Sequence, residues 1–216
     1  VDINRKRMKT FHLHTKNPNR REIQMIAKEI NSGAIVVIPT DTVYAIACKL
    51  TNKAGIDKIC RITGKKEKQA KMTVICSDLK QVSNYTMSYS NDVFKTMKRY
   101  SPGPYVYILN ANKFVQKYFK NNKSEIGIRI SGNEIIQSLL EIMDEPFITT
   151  SLNKDNIAGY YTDPEKIEED YGAELDIMIN AGPGSIGEST ILDCTGDEIE
   201  VIREGLGYSS ANDISI

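Results

Sequence analysis

An arginine set inside an apolar strand is the first feature of the chain that could do chemistry. In Ile126-Gly127-Ile128-Arg129-Ile130 the isoleucines share one face, and Arg129 faces the other way with Gly127 and Ser131. Desolvating an unpaired charge costs several kcal/mol. Arg129 therefore needs an anion, either an internal carboxylate or a bound carboxylate or phosphate, which a guanidinium grips in bidentate fashion. A second strand-like run ends in Thr149-Thr150-Ser151-Leu152-Asn153, a polar cluster at a strand's carboxyl end, where α/β sheets bind ligands. The same residue types also serve in turns and caps. Thr40-Asp41-Thr42, Ser189-Thr190 and Arg203 repeat the theme. Together they outline a cleft rich in hydroxyls and guanidiniums and poor in general bases.

Several familiar sites are excluded on spacing. Gly182-Pro183-Gly184-Ser185-Ile186-Gly187 spells a G-x-G-x-x-G, but a dinucleotide fingerprint must open a helix, and Ser189-Thr190-Ile191-Leu192-Asp193-Cys194 reads as a strand. A phosphate-binding Walker loop would need Gly where Ile59 stands ahead of Gly64-Lys65. Ser185 lacks the first Gly of a nucleophile elbow, because Pro183 occupies it. His12 and His14 alternate with Phe11 and Leu13 as exposed strand residues rather than a catalytic pair. Cys48, Cys60, Cys76 and Cys194 stand singly, so neither a zinc site nor a disulfide framework is expected, and a reducing cytoplasm is the simplest home.

The elements that must position these residues follow from periodicity. Ile23, Ile26, Ala27 and Ile30 recur at helical spacing between Asn19, a cap, and Gly33, a terminator. Ala34 to Ile38 is a continuous apolar run closed by Pro39, the pattern of a strand covered on both faces. A second strand over 43–50 follows a four-residue turn. Helices are predicted near 55–63, 78–84, 91–100, 114–119, 133–143 and 164–171. Strands are predicted near 72–76, 105–109, 126–130, 147–150, 175–179, 190–194 and 199–203. Interleaved patterns of this kind imply an α/β fold with helices on the faces of one sheet. The turns at 39–42 and 195–198 are too short for parallel crossovers, so the sheet should be mixed.

A chain of 216 residues, 40% hydrophobic, suits one such domain. No apolar run reaches the roughly 18 residues of a membrane span. The opening residues carry no apolar signal segment, and Met8 reads as a start preceded by a leader at 1–7. The charges balance at 28 against 28, but unevenly. Lys53 to Lys71 holds seven cations and two anions, a stretch able to meet a polyphosphate or an RNA backbone, and Asp163 to Asp176 holds seven anions and one cation.

The run Pro39-Thr40-Asp41-Thr42-Val43-Tyr44-Ala45-Ile46 resembles the P-T-[DE]-T-x-Y-x-[LI] opening of the YrdC/YciO family, that of threonylcarbamoyl-AMP synthase. Later matches follow in order: Ser101-Pro102-Gly103-Pro104-Tyr105, Gly127-Ile128-Arg129-Ile130, Thr149-Thr150-Ser151-Leu152-Asn153, and Ser189-Thr190-Ile191-Leu192-Asp193 leading to Val201-Ile202-Arg203-Glu204-Gly205. Within the family, Ile59-Cys60-Arg61-Ile62 and Cys76-Ser77-Asp78-Leu79 look more like the YciO branch. The resemblance implies a single-domain, three-layer YrdC/RibB-like α/β fold with a twisted mixed parallel/antiparallel sheet. It divides the chain into a leader and first short strand (1–19), the YrdC-like domain (20–207) and a tail (208–216).

It also implies a reaction. L-threonine, bicarbonate and ATP, with Mg2+ accompanying the triphosphate, would give threonylcarbamoyl-adenylate and pyrophosphate for t6A modification of tRNA alongside other proteins of that pathway. The attacking group would be the carboxylate of N-carboxythreonine, so no enzyme nucleophile is required. Carried over by motif, Thr40, Tyr44, Arg129 and Ser189 would form the threonine site. Arg61, Thr149, Ser151, Asn153 and Arg203 would serve the nucleotide, with Ser151, Asn153, Lys65 and Lys66 at the reacting phosphates. No metal ligand in the protein is expected. Where the active branch carries K-x-R-P, this chain has Thr63-Gly64-Lys65-Lys66-Glu67-Lys68, and Lys lacks the bidentate fork. That departure opens two other readings: a YciO-type paralogue that binds nucleotide with weak or different activity, and an RNA-binding module for tRNA or double-stranded RNA built on the basic stretch.

Overall fold

Hydrogen-bonding side chains punctuate the chain wherever a helix begins. In a computed structural model, which describes residues 8–64, 72–119, 124–152 and 162–208, Asn19 Oδ1 accepts the N–H groups of Arg21 and Glu22 to start α1 (Arg20–Asn31). Asn52, Asp78, Ser90, Asn112, Asn133 and Asp163 do the same for α2 (Lys53–Ile62), α3 (Leu79–Ser83), α4 (Asn91–Tyr100), α5 (Lys113–Gln116), α6 (Glu134–Met143) and α7 (Pro164–Tyr171). The predicted leader at 1–7 and the tail beyond residue 208 lie outside the described residues.

Among the described residues ten strands form one sheet: β1 (Lys9–His12), β2 (Val36–Ile38), β3 (Ala45–Lys49), β4 (Thr73–Cys76), β5 (Tyr105–Asn110), β6 (Glu125–Ile130), β7 (Phe147–Ser151), β8 (Ile177–Asn180), β9 (Thr190–Asp193) and β10 (Glu200–Arg203). Their order is β1-β8-β2-β3-β7-β4-β6-β5-β9-β10. The sheet is mixed, as the short turns require: β2–β3 and β9–β10 are antiparallel, whereas β4–β6 and β5–β9 are parallel. The Gly182–Gly187 loop joins β8 to β9 with no helix after it, consistent with rejecting the dinucleotide reading. His12 ends β1, but His14 lies beyond it and is exposed, so the strand expectation fails for His14.

Two apolar layers sandwich the sheet. On one face Ile126, Ile128 and Ile130 of β6 join a cluster reaching α2, α3, α4, α5 and α7. On the other, Ile23, Ile26, Ala27 and Ile30 of α1 and Ile135, Ile136, Leu139 and Leu140 of α6 cover Val36, Ile38, Ala47, Ile75, Phe147 and Ile177. The alternation of β2 between the two clusters explains its continuous apolar sequence. The second layer is the smaller. Beyond Ile75 of β4 it gives way to Thr73, Arg129 of β6 and Thr149 and Ser151 of β7, with Val106 of β5 beside them, and the cleft lies there.

Neighbouring strands pack closely on Gly127, on the Arg129 side of β6. A Cβ added there would meet Val106 Cγ1 at 2.9 Å, Thr73 Oγ1 at 3.0 Å and Met72 O at 3.3 Å. Gly127→Ala is expected to cost about 1–3 kcal/mol, and an unchanged urea midpoint would show that β5 yields freely. At the far end of β3, Glu145 bonds Lys49 Nζ at 2.8 Å and the Thr51 N–H at 2.9 Å. Burial pushes the Glu145 carboxyl up, but these hydrogen bonds outweigh it and hold the group below the usual carboxylate range. A folded-state pKa below the unfolded one stabilises the protein fully above about pH 4.3, and this contribution drains away as pH falls through the folded value. Glu145→Gln should therefore be less stable than the parent at neutral pH and approach it in acid. A stability gap that persists unchanged at low pH would refute this.

Candidate active site

The strand register lays the cleft floor. Thr73 of β4 sits opposite both Gly127 of β6 and Thr149 of β7, Ile75 opposite Arg129, and Ala45 of β3 opposite Ser151. With Val106 of β5, these residues place Thr73, Thr149, Ser151 and Arg129 on the face opposite the isoleucines. The turn after β2 and the segment before β9 raise the walls with Thr40, Thr42, Val43, Glu188 and Ser189, and Arg203 of β10 completes the rim. The cavity, open to solvent on one side, is about 60 Å3, room for on the order of four or five water-sized groups. That is the scale of a small polar molecule; adenosine and a triphosphate would extend beyond it.

Arg129 is 5% exposed and already has its anion. Nη2 donates to Asp41 Oδ2 at 2.9 Å, and Ser131 Oγ donates to the same oxygen at 2.8 Å. Nη1 donates to Thr42 Oγ1 at 3.2 Å. Burial pushes the Arg129 pKa down, and the charge of Asp41 and its hydrogen bond oppose that shift. Both terminal nitrogens thus bond the Thr40-Asp41-Thr42 turn, and Nε is buried with no hydrogen-bond partner.

The turn is wired as tightly. The Thr40 hydroxyl donates to Val43 O at 2.7 Å and accepts the Thr42 N–H at 3.1 Å. With its proton spent, it is the acceptor in its 3.0 Å contact with Thr42 Oγ1, which in turn accepts from Arg129. At the rim Arg203 donates from Nε to Ser189 O (3.0 Å) and from Nη2 to Ser189 Oγ (3.2 Å), while Nη1 lies 2.8 Å from Glu188 Oε1. Ser189 accepts there, which leaves its own proton to donate.

The structure brings Thr40, Arg129, Thr149, Ser151, Ser189 and Arg203 around one cavity. It does not bring Tyr44 or Arg61 there. Tyr44 is buried, donating to Gly182 O at 2.7 Å and accepting the Ala181 N–H at 3.0 Å, so it pins the start of the β8–β9 loop. Arg61 is exposed on α2, whose buried face is Gly55, Ile56, Ile59 and Cys60. Lys65, Lys66 and Asn153 lie outside the described residues. Sequence reasoning passed over Asp41 as the counter-ion, although the need of a mid-strand arginine for an anion is its signal. Thr73, Val106 and Glu188 carry none, because only cross-strand register assembles them. Among the described residues no cluster of three or more His, Cys, Asp or Glu side chains is placed to hold a metal ion, and no helix is long and apolar enough to cross a membrane.

Comparison with known proteins places this geometry. The chain is 34% identical to Escherichia coli YciO, a protein described as uncharacterized, over 91% of this chain and 95% of that one. Its fold superposes on the E. coli YciO crystal structure with a TM-score of 0.85, covering 92% of this chain and 96% of the other at 33% identity. It is 28% identical to a putative threonylcarbamoyl-AMP synthase of Methanocaldococcus jannaschii, over 95% of this chain and 96% of its counterpart. The fold is also that of Pyrococcus abyssi Sua5 solved in complex with L-threonine, with a TM-score of 0.83 at 20% identity, covering 91% of this chain and 57% of that larger protein. Residues 28–205 match the Sua5/YciO/YrdC family model, described as telomere recombination; with its mixed sheet and motifs in register, the chain belongs to the Sua5/YciO/YrdC family.

Proposed function

We propose that the cavity binds L-threonine and that the chain joins it to bicarbonate and ATP, giving threonylcarbamoyl-adenylate, pyrophosphate and water. One observation carries this reading. Hydroxyls and guanidiniums from separate parts of the chain converge on a cavity whose described lining holds no histidine, cysteine or lysine. Such a site can orient and neutralise, and its hydroxyls have no histidine or lysine in that described lining to activate them. The proposed reaction asks for this: threonine nitrogen forms a carbamate with bicarbonate, and the carbamate oxygen attacks the α-phosphorus as pyrophosphate leaves, the nucleophile coming from substrate. Its similarity to threonylcarbamoyl-AMP synthases and to a fold solved with L-threonine supports this choice. Ser189 Oγ would donate to the amino acid's carboxylate, and Ser151 and Thr149 would lie toward the phosphates, with Asn153, Lys65 and Lys66. Magnesium would enter with the triphosphate, and the product would serve tRNA modification in the cytoplasm.

A second reading is favoured by the same geometry. Both guanidiniums of the cavity already bond the protein's own carboxylates, and the K-x-R-P pair is replaced by Lys65-Lys66. This combination suits a paralogue that binds nucleotide, or RNA, with weak or different activity. Pyrophosphate release from ATP separates the two: release that requires both threonine and bicarbonate is expected, and release indifferent to threonine would reject the synthase reading. Ser189→Ala should weaken threonine binding roughly tenfold by calorimetry, the worth of one hydrogen bond to a charged group.

A further inference from the structure

The proposed reaction needs one step that hydroxyls and guanidiniums do not provide. Threonine enters as an ammonium, and its nitrogen has no lone pair to offer bicarbonate until a proton leaves. The charged side chains of the described lining are Arg129, Arg203 and Glu188. A guanidinium has no acceptor, and a neutral hydroxyl takes up a proton far less readily than a carboxylate. Asp41 stands behind Arg129, outside the lining, with Oδ2 spent on Arg129 and Ser131. Glu188 is thus the one carboxylate that the described lining presents to a ligand.

Its position suits the task. Glu188 adjoins Ser189, whose hydroxyl accepts from Arg203 and keeps its own proton for the amino acid's carboxylate, and both residues line the cavity. In an α-amino acid only one carbon separates the carboxylate from the nitrogen, so in a cavity of about 60 Å3 the ammonium has little room to lie far from Glu188. Arg203 Nη1, 2.8 Å away, steadies Oε1, and among the described residues Oε2 has no hydrogen bond. The Glu188 side chain is 30% exposed, which gives a proton taken up there a way out to solvent.

We propose that Glu188 is a catalytic residue whose carboxylate takes the proton from the substrate ammonium and so creates the nucleophile for bicarbonate. This rests on the synthase reading above. The N–H bond breaks toward Oε2 and leaves its electron pair on nitrogen. That pair forms the N–C bond with bicarbonate, the C–OH bond breaks, and the hydroxide leaves as water with one of the two protons still on nitrogen. The proton on Glu188 passes to solvent. Ammonium and bicarbonate thereby become carbamate, water and a proton, and the carbamate goes on to the α-phosphorus.

The test follows pyrophosphate release from ATP, at saturating threonine and bicarbonate, across the titration of the free amine from about pH 6.5 to about 9.5. It compares the full chain with Glu188→Gln and Glu188→Asp, circular dichroism confirming the fold. Gln keeps the length and an oxygen for Arg203 but cannot hold the proton. Glu188→Gln is expected to lower kcat on the order of a hundredfold near pH 7, the contribution of a general base, with a smaller change in KM for ATP. The deficit should shrink steadily as pH rises and the amine loses its proton unaided. Glu188→Asp, which retains a carboxylate, should recover part of the rate. A deficit of equal size at every pH, a loss confined to KM for ATP, no loss at all, or an Asp variant no faster than Gln would each overturn the proposal; a residue that merely holds Arg203 gives such results. Should Glu188→Gln not fold, Glu188→Ala carries the same comparison, and a deficit there that ignores pH is equally fatal. Release by the parent that ignores threonine or bicarbonate sinks the synthase reading and this inference with it. An active parent matched by Glu188→Gln sinks this inference alone.

Discussion

A cation held inside a β-sheet is the constraint around which this molecule is arranged. Arg129 sits mid-strand with its charge shielded from water, and such a group is tolerable only when paired and hydrogen-bonded. The partner comes from a turn far away in sequence: Asp41 supplies the charge and Thr42 a second acceptor. Meeting that demand fixes the Thr40-Asp41-Thr42 turn against the sheet, and the fixed turn is one wall of the cleft. Stability and site geometry therefore rest on the same ion pair, with Ser131 holding Asp41 from the other side.

The unequal covering of the two faces supplies the space. One face is closed by an apolar layer reaching five helices, whereas the other is capped by α1 and α6 over part of its breadth. Where that second layer stops, the sheet face carries Thr73, Thr149, Ser151 and Arg129 beside the apolar Ile75 and Val106. Gly127 keeps the floor low, because any side chain would strike Val106 and Thr73. The site is thus where the second layer stops.

Family membership and local chemistry meet in this cleft without being the same statement. The fold and the family are shared with both YciO and threonylcarbamoyl-AMP synthases. Within the cavity the charges are paired internally: Asp41 with Arg129, and Glu188 with Arg203. Pairing still leaves donors such as Nε of Arg129 and the Ser189 hydroxyl to orient a ligand.

The sequence alone determined the periodic features. Helix caps such as Asn19, the two-sided burial of Val36–Ile38, the antiparallel turns and the Ile126-Ile128-Ile130 face all follow from local spacing, because a side chain's face is set by the pitch of its own element. The same logic placed Arg129 opposite those isoleucines and required an anion for it. Which anion was beyond the sequence's reach, since Asp41 and Arg129 meet only when β2 and β6 take their places in one sheet. Tyr44 shows the limit from the other side: its motif pointed to the pocket, yet its ring is buried and its hydroxyl spent on Gly182 and Ala181. Cross-strand register and the extent of the covering helices are non-local, and they alone decided which hydroxyls face the cavity and which carboxylate meets Arg129.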